Sequence, residues 1–542
     1  MTRQTPRDDL NDDAATRSLD AAGADPAAHA ARERLAGALR RKVGRRGFVT
    51  GAGAVGAGAV AAGLRLLTST GGATSAPTPR PTATGAASAS PTPPAIGGVV
   101  GQATPPVPAG MALVTSSRLP LFGVGADDPD RLLAGKVSDW QEVGTAISMP
   151  VEPLALANQV PAGTHPVATF PDYEALVAGL AKHPGGVALI PLSAVDFRVN
   201  VLSVAGHDPL RDQDGPSSQV FSVGVVGDIV PGRNVNDKMV AYGDYTHPFL
   251  KIAHILSSFD LMFANLEGDL SNTLQPPSDP HTFTFVSSPK MLDGFKLAGI
   301  DAVSLANNHS TWNEAGWGTQ GLLDTIGALE NAGIPYFGAG RNLDKARAPW
   351  SPRAKGATLA IIGIDGVTAN EDDTRPGTLA GSVAAGADSA GTNPFLTQQF
   401  LADITAATQQ ADIVIPYFHF GVEYIAVLPQ WAVDGARAAI DAGATMVVTN
   451  HPHVIQGMEI YKGKPIVYSV GNFIFDQMFS VNVREGMILE LTFDGKRLVG
   501  LRGHGVEIED FNQPRLMTAG ELASLMDRFW DATDRLIEEK LT

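Results

Sequence analysis

Along the second half of this chain, short apolar runs rich in β-branched residues stop one after another at polar loops. The runs at 220–226, 261–264, 302–306, 413–418 and 446–448 are each followed within a residue or two by Asp, Asn or His. Such a run reads as a strand buried on both faces, and open α/β sheets gather their ligands at the carboxyl ends of such strands. Helical patterns at 248–259, 290–298, 321–332 and 431–442 lie between them, so strands and helices alternate as in layered α/β folds. Strands at 487–493 and 498–507 and a helix at 519–541 follow. Leu522, Met526, Phe529, Trp530, Thr533 and Ile537 form one face of that helix, which is a packing stripe.

The strand ends carry chemistry. They deliver Asp228, Asn265 with Glu267, Asn308 with His309, His419, and the pair His451 and His453 separated by Pro452. Taken alone, two imidazoles one residue apart are a solvated loop pair as readily as a ligand pair. Recurrence of carboxylate, amide and imidazole at successive strand ends points instead to a paired-metal centre. Two divalent ions need a bridging carboxylate, further O and N ligands on either side, and open positions for water and substrate.

Composition narrows the possibilities. The 542 residues allow two or more domains, and 44% hydrophobic residues can build a core in each. A formal net charge of −16 argues against a nucleic-acid partner, which would need clustered Lys and Arg. The chain has no cysteine, so disulfides, thiolate metal sites and cysteine nucleophiles are excluded, and any metal uses N and O ligands.

The first half divides by composition. Residues 1–70 comprise a polar extension and then Arg40-Arg41-Lys42-Val43-Gly44-Arg45-Arg46-Gly47-Phe48, followed by a Gly/Ala/Val stretch to Leu67. With Arg45-Arg46 and Phe48 two positions on, this resembles a twin-arginine export signal and implies an extracytoplasmic protein, membrane-anchored or secreted. Residues 71–108 are an Ala/Thr/Ser/Pro-rich linker that cannot pack a core. Residues 109–210 form a small α/β lobe: 132–144 and 185–192 are similar to stretches of phosphate-type solute-binding proteins. A single lobe of that kind is expected to serve packing or polymer contact rather than to close on a small ligand.

The main domain spans 220–510, with 511–542 as a C-terminal helix. Gly227-Asp228, Asn265-Leu266-Glu267-Gly268, Asn307-Asn308-His309, His419-Phe420-Gly421-Val422-Glu423-Tyr424, His451-Pro452-His453 and Tyr468-Ser469-Val470-Gly471-Asn472-Phe473 resemble, in order and spacing, the CapA family of poly-γ-glutamate capsule synthesis proteins. That family is similar in fold to calcineurin-like metallophosphoesterases. The resemblance implies a metallophosphatase-like four-layer α/β sandwich preceded by the smaller lobe. It implies two divalent ions (Mn, Fe or Zn), with Asp228 and His453 on the first, Glu267 bridging, and Asn308, His419 and His451 on the second. His309 is then the catalytic group that stabilises or protonates a leaving oxygen, while Asn265, Glu423, Arg233 and Asn472 are supporting or substrate-contacting candidates. Glu423, four residues past His419, is expected to orient an imidazole or else to be a surface carboxylate.

Departures are equally specific. Val230 stands where metallophosphoesterases carry the His of Asp-x-His, so the first metal has one ligand fewer. Asn265-Leu266-Glu267 replaces Gly-Asp-x-x-Asp, and Thr449 replaces a Gly. Trp312, Asn313 and Glu314 stand where relatives carry an Asp after the Asn-His pair. Two functions follow from the resemblance: a metal-dependent hydrolase or transferase acting on a phosphoester or anionic envelope polymer, working with membrane-bound capsule synthesis machinery, or a non-catalytic factor that grips the polymer on the same fold. A third reading leaves the His and Asn residues purely structural, which buried polar strand ends make costly.

Overall fold

The computed structural model describes residues 107–212, 218–275, 282–312, 317–368 and 382–538. Residues 1–106, on which the expected export signal and nearly all of the expected linker fall, lie outside the described residues. Among those described, no helix is long and apolar enough to cross a membrane.

Residues 220–538 form two facing mixed sheets with helices outside both. The first has eight strands, in the order Tyr336–Phe337, Ala302–Ser304, Leu261–Leu266, Val220–Ile229, Glu485–Asp494, Arg497–Glu509 and Gln513–Leu516, with Asn472–Ile474 also pairing to Val220–Ile229. The second has six, in the order Arg353–Ala354, Ala357–Asp365, Ile413–His419, Val447–Asn450, Lys464–Val467 and Met458–Tyr461. Phe221, Val223, Val225 and Phe263 of the first sheet pack against Ile361, Ile415, Tyr417 and Val448 of the second. Helix Gln320–Ala332 covers the outer face of the first sheet, and helices Thr397–Ala407 and Gln430–Asp441 cover that of the second. This is the expected four-layer α/β sandwich. The continuous apolar reading of 220–226 follows from its place: every residue of Val220–Ile229 is buried, between the helix layer and the opposite sheet.

One expectation is corrected and one strand is added. The pattern at 248–259 is not one helix but a 3-10 turn, His247–Phe249, and a single helical turn, Ala253–Leu256. Phe249, Ile252, Ala253 and Leu256 still face the core, so tertiary packing keeps the apolar spacing without a continuous helix. The run Ala357–Asp365, unassigned from sequence, is a central strand of the second sheet.

The preceding lobe is a five-stranded sheet with two strands of 111–116 and 186–191 at its centre. Helix Tyr173–Lys182 covers one face, and Asp128–Leu133 with Trp140 covers the other. Val499 of the sandwich belongs to the lobe's apolar core, and Arg502 Nη1 donates to Asp208 Oδ2 at 2.8 Å. The lobe is therefore seated on the sandwich rather than tethered to it.

Candidate metal centre

Parallel register brings the polar strand ends to one edge of the sandwich. Asp228 lies beside Asn265 and Asn472 in the first sheet, and His419 lies beside Asp365 and Asn450 in the second. Strand and backbone approach closely there: a Cβ on Gly227 would stand 1.8 Å from the Gly471 carbonyl oxygen, so only glycine lets Asp228 reach its position. His451 and His453 have φ of +110° and +59° on either side of Pro452. A non-glycine residue held there costs about 1–3 kcal/mol, and it persists only where the surroundings over-determine it.

Five of the seven predicted metal and catalytic residues fall in two buried groupings of donor atoms, each within 4.8 Å: Asp228, Glu267 and His453, and Glu267, His419 and His451; a sixth, Asn308, adjoins the second through His419. Glu267 is shared, as a bridging carboxylate would be. His419 Nε2 lies 3.2 Å from Asn308 Oδ1, 3.2 Å from His451 Nδ1 and 3.6 Å from Glu267 Oε1. Ligand atoms about 2.1 Å from one tetrahedral ion stand about 3.4 Å apart, so these are the edges of a coordination shell. Glu267 Oε1 and Asn308 Nδ2 are buried with no hydrogen-bond partner among the described residues, and the buried Asp228 Oδ2 has only an ion-pair contact, 3.2 Å from His453 Nδ1. Buried carboxylate oxygens left so are costly, and two cations resolve them. The residues fit the implied metal pair.

Protonation agrees with ligation on one side and competes with it on the other. Burial pushes the His419 imidazole below its usual range and, with His419 and His453 nearby, His451 further still. Both rings are thus neutral donors. Burial also opposes charge on His453, but Glu267 and Asp228 outweigh it and raise that ring to about 9. Asp228 is held at about 2, because His453, His419 and the amide of Asn265 outweigh its burial. Burial and the neighbouring Asp228 push Glu267 well up. In the metal-free protein His453 thus carries the cation that a metal would replace.

The seventh residue, His309, stands at the edge of the cluster with Nε2 3.8 Å from Glu267 Oε1. Its Nδ1–H donates to the Phe283 carbonyl at 2.9 Å, so Nε2 is the nitrogen that faces the cluster. Burial, followed by the positive His453, lowers the ring to about 3. Asn307 sets this turn: its Oδ1 accepts from Ser310 N at 2.8 Å and its Nδ2 donates to Asn265 Oδ1 at 3.0 Å. Asn265 in turn donates to Asp228 Oδ1 at 2.7 Å.

The supporting candidates sort differently from expectation. Asn472, not Glu423, orients an imidazole. Its Nδ2 donates to the Val483 carbonyl at 2.9 Å, leaving Oδ1 2.9 Å from His453 Nδ1. His419 presents its nitrogens to Asn265 and Asn308, so Glu423 acts on the rings only through its charge. The reason is local: Gly421 at φ +120° and Tyr424 at φ +63° turn the loop after His419 out of strand direction. Arg233 is not free for substrate; it pairs with Asp476 and lies over the Phe285 and Phe475 rings at 4.8 and 5.3 Å, and Phe285 in turn lies against His309. Thr449 uses its hydroxyl on the Tyr468 carbonyl. Trp312 lies 5.9 Å from His309, while Asn313 and Glu314 fall outside the described residues.

The sequence alone assigns no role to Asn307 or Asp365. Asp365 ends an apolar run as Asp228 does, but its oxygens accept from Val367 N, Thr368 N and Thr392 Oγ1 at 2.9, 3.0 and 2.8 Å. It closes a loop behind His419 and has nothing left for an ion.

A fold with carboxylates, amides and imidazoles converging at its strand ends is an α/β sandwich with a candidate paired-metal centre. Residues 222–477 match the family described as bacterial capsule synthesis protein PGA_cap. The chain is 30% identical over 307 residues to the capsule biosynthesis protein CapA of Bacillus anthracis, covering 55% of this chain and 70% of that one. It is 31% identical over 265 residues to the PGA biosynthesis protein CapA of Bacillus subtilis strain 168, covering 48% and 65%. The chain belongs to this capsule synthesis family, and it spans about two thirds of the length of these two relatives. Among solved structures it is similar to the 5'-nucleotidase from Candida albicans, at 10% identity over 56% of this chain and 57% of that one, with a TM-score of 0.30. A score of that size adds nothing to the layers described above.

Proposed function

We propose that this protein is an extracytoplasmic two-metal hydrolase or transferase that acts on a phosphoester or anionic bond in the synthesis or attachment of a capsule polymer of the poly-γ-glutamate kind. The observation that carries the reading is the buried Glu267, shared by two donor sets, with an unpartnered Oε1. Asp228, Glu267 and His453 would hold one ion; Glu267, His419, His451 and Asn308 would hold the other. Divalent ions in these sets, Mn, Fe or Zn, supply Lewis-acid activation of water and neutralise charge on the reacting oxygens.

The chain's own residues do the rest. Asn472 fixes the His453 ring, Asn265 fixes Asp228, and the Phe283 carbonyl fixes the His309 tautomer. His309 would accept or return a proton at Nε2, the nitrogen that faces the cluster. Phe285, packed edge to face on Phe475, covers that ring.

A non-catalytic polymer grip is the second reading, favoured by Val230 in the place of a ligand. Against it, the cation beside the cluster, Arg233, is already paired with Asp476, leaving a repeating polyanion without it. The test is metal content by plasma mass spectrometry of the full chain and of His451→Ala/His453→Ala. One to two equivalents lost in the double variant support the centre. No metal in either protein, even after incubation with excess Mn or Zn, sinks it. His309→Ala then separates the readings: the enzyme keeps its metal and loses turnover, whereas a grip has no turnover to lose.

A further inference from the structure

We propose that the substrate of this centre is amphiphilic: a phosphoester of a long-chain alcohol, its anionic head in the metal cluster and its hydrocarbon lying across the rim. The inference rests on the two-metal reading and adds the substrate class. Large apolar side chains left exposed are usually scattered singly. Here Phe283, Val383, Ile425, Val427, Phe479 and Val481, each 37–56% exposed, come from the loops that bound the cluster.

Contacts tie these loops to the site on both flanks. On one, the Phe283 carbonyl holds His309, and Val383 N donates to Thr311 Oγ1 at 2.8 Å, just past His309. On the other, Tyr424 N donates to the Pro452 carbonyl at 2.8 Å, and the Tyr424 ring lies 5.9 Å from His453 and 5.5 Å from Phe479. Ile425 and Val427 continue that loop, and Val481 follows Phe479.

Several polar groups at the rim are already engaged or anionic. Arg233 is paired with Asp476, Gln477 donates to the Tyr424 hydroxyl at 2.7 Å, and Glu423 is itself anionic. A repeating carboxylate polymer would meet a carboxylate and apolar walls, on a chain whose net charge is −16. A ligand with a single anionic head and a hydrocarbon tail satisfies cluster and rim together.

Calorimetry of the metal-loaded full chain with ethyl, butyl, hexyl and octyl phosphate, below their micellar concentrations, tests this. Each covered methylene tightens binding about fourfold, so octyl exceeds ethyl phosphate about 60-fold if half of the six added methylenes are covered. In Ile425→Ala/Phe479→Ala the series flattens to under about fivefold while metal content is kept. A flat series in the unsubstituted protein overturns the proposal, as does a steep one that survives in the variant. Octyl glucoside binding as tightly as octyl phosphate also overturns it, because the head then contributes nothing. Metal-independent sedimentation with phosphatidylcholine vesicles, lost in the variant, makes the rim a membrane contact and overturns it too. Absence of metal sinks the centre and this inference together; a flat series with metal bound sinks the inference alone.

Discussion

Glu267→Gln separates what this carboxylate does for the metal from what it does to the fold. The side chain is fully buried, Oε1 has no partner, and burial with Asp228 alongside holds the carboxyl well above its usual range. An acid whose folded pKa is raised penalises the folded state once pH exceeds its unfolded value near 4.5. Below that pH both states are protonated and the penalty vanishes. Gln has the same shape and no charge to bury, so in excess chelator at pH 7.5 the variant is more stable than the unsubstituted protein. Relief of a buried unsatisfied group is worth about 1–3 kcal/mol, or roughly 2–6 °C in Tm at about 2 °C per kcal/mol. At pH 4 the two melt together. Divalent metal at 100 times its Kd stabilises the unsubstituted protein by about 2.7 kcal/mol, and the variant loses most of this because both donor sets lose a shared ligand. Differential scanning fluorimetry in chelator and in Mn, at both pH values, reads all four numbers. A Gln variant less stable than the parent in chelator at pH 7.5 refutes the reasoning: Glu267 would then be stabilised by His453 alone, with no deficit for an ion to fill.

Arg233→Ala removes one side of a buried pair, with side-chain exposures of 16% and 4%, and should cost about 3–5 kcal/mol in urea unfolding of the metal-loaded protein. Gly227→Ala drives a Cβ to within 1.8 Å of the Gly471 oxygen and should destabilise by about 3 kcal/mol or more, with metal lost as Asp228 shifts; metal content and urea midpoint report both. The two ions should bind unequally. Glu267 is common to both sets, and the His419 and His451 rings are already neutral, whereas His453, raised to about 9, must release a further proton, so the affinity of its set rises about tenfold per pH unit more steeply than that of the other from 6 toward 9 by calorimetry.

The strand ends were legible because burial on both faces writes an unbroken apolar run and ligands must follow where it stops. Asp228, Glu267, Asn308, His419, His451 and His453 were found that way, though they come from both sheets. What was hidden depends on register between distant segments. Nothing near Asn472 in sequence announces that it will sit opposite Asp228 and hold His453; that follows from Asn472–Ile474 pairing with Val220–Ile229. Glu423 was placed by counting four residues from His419, and the count failed because the loop leaves the strand at Gly421. The strand ending at Asp365 was unread although its run resembles the others, since Gly366 and Val367 follow it and no imidazole or amide marks it as chemistry.

Val230 shows why a missing ligand need not mean a decayed site. It is fully buried in a cluster with Phe285, Phe475 and Ile508, its N–H bonded to the Ile474 carbonyl at 2.8 Å. Phe285 lies 4.5 Å from the His309 ring and 5.5 Å from Phe475, and both carry the Arg233 guanidinium. An imidazole at 230 would replace this apolar packing with a polar ring needing partners of its own. On the two-metal reading the chain would give up one nitrogen on the first metal, and in the same place it builds the apolar packing that keeps His309 neutral. The weaker ion and the depressed His309 have one cause, so a Val230→His variant that gains metal affinity should raise the His309 titration as well.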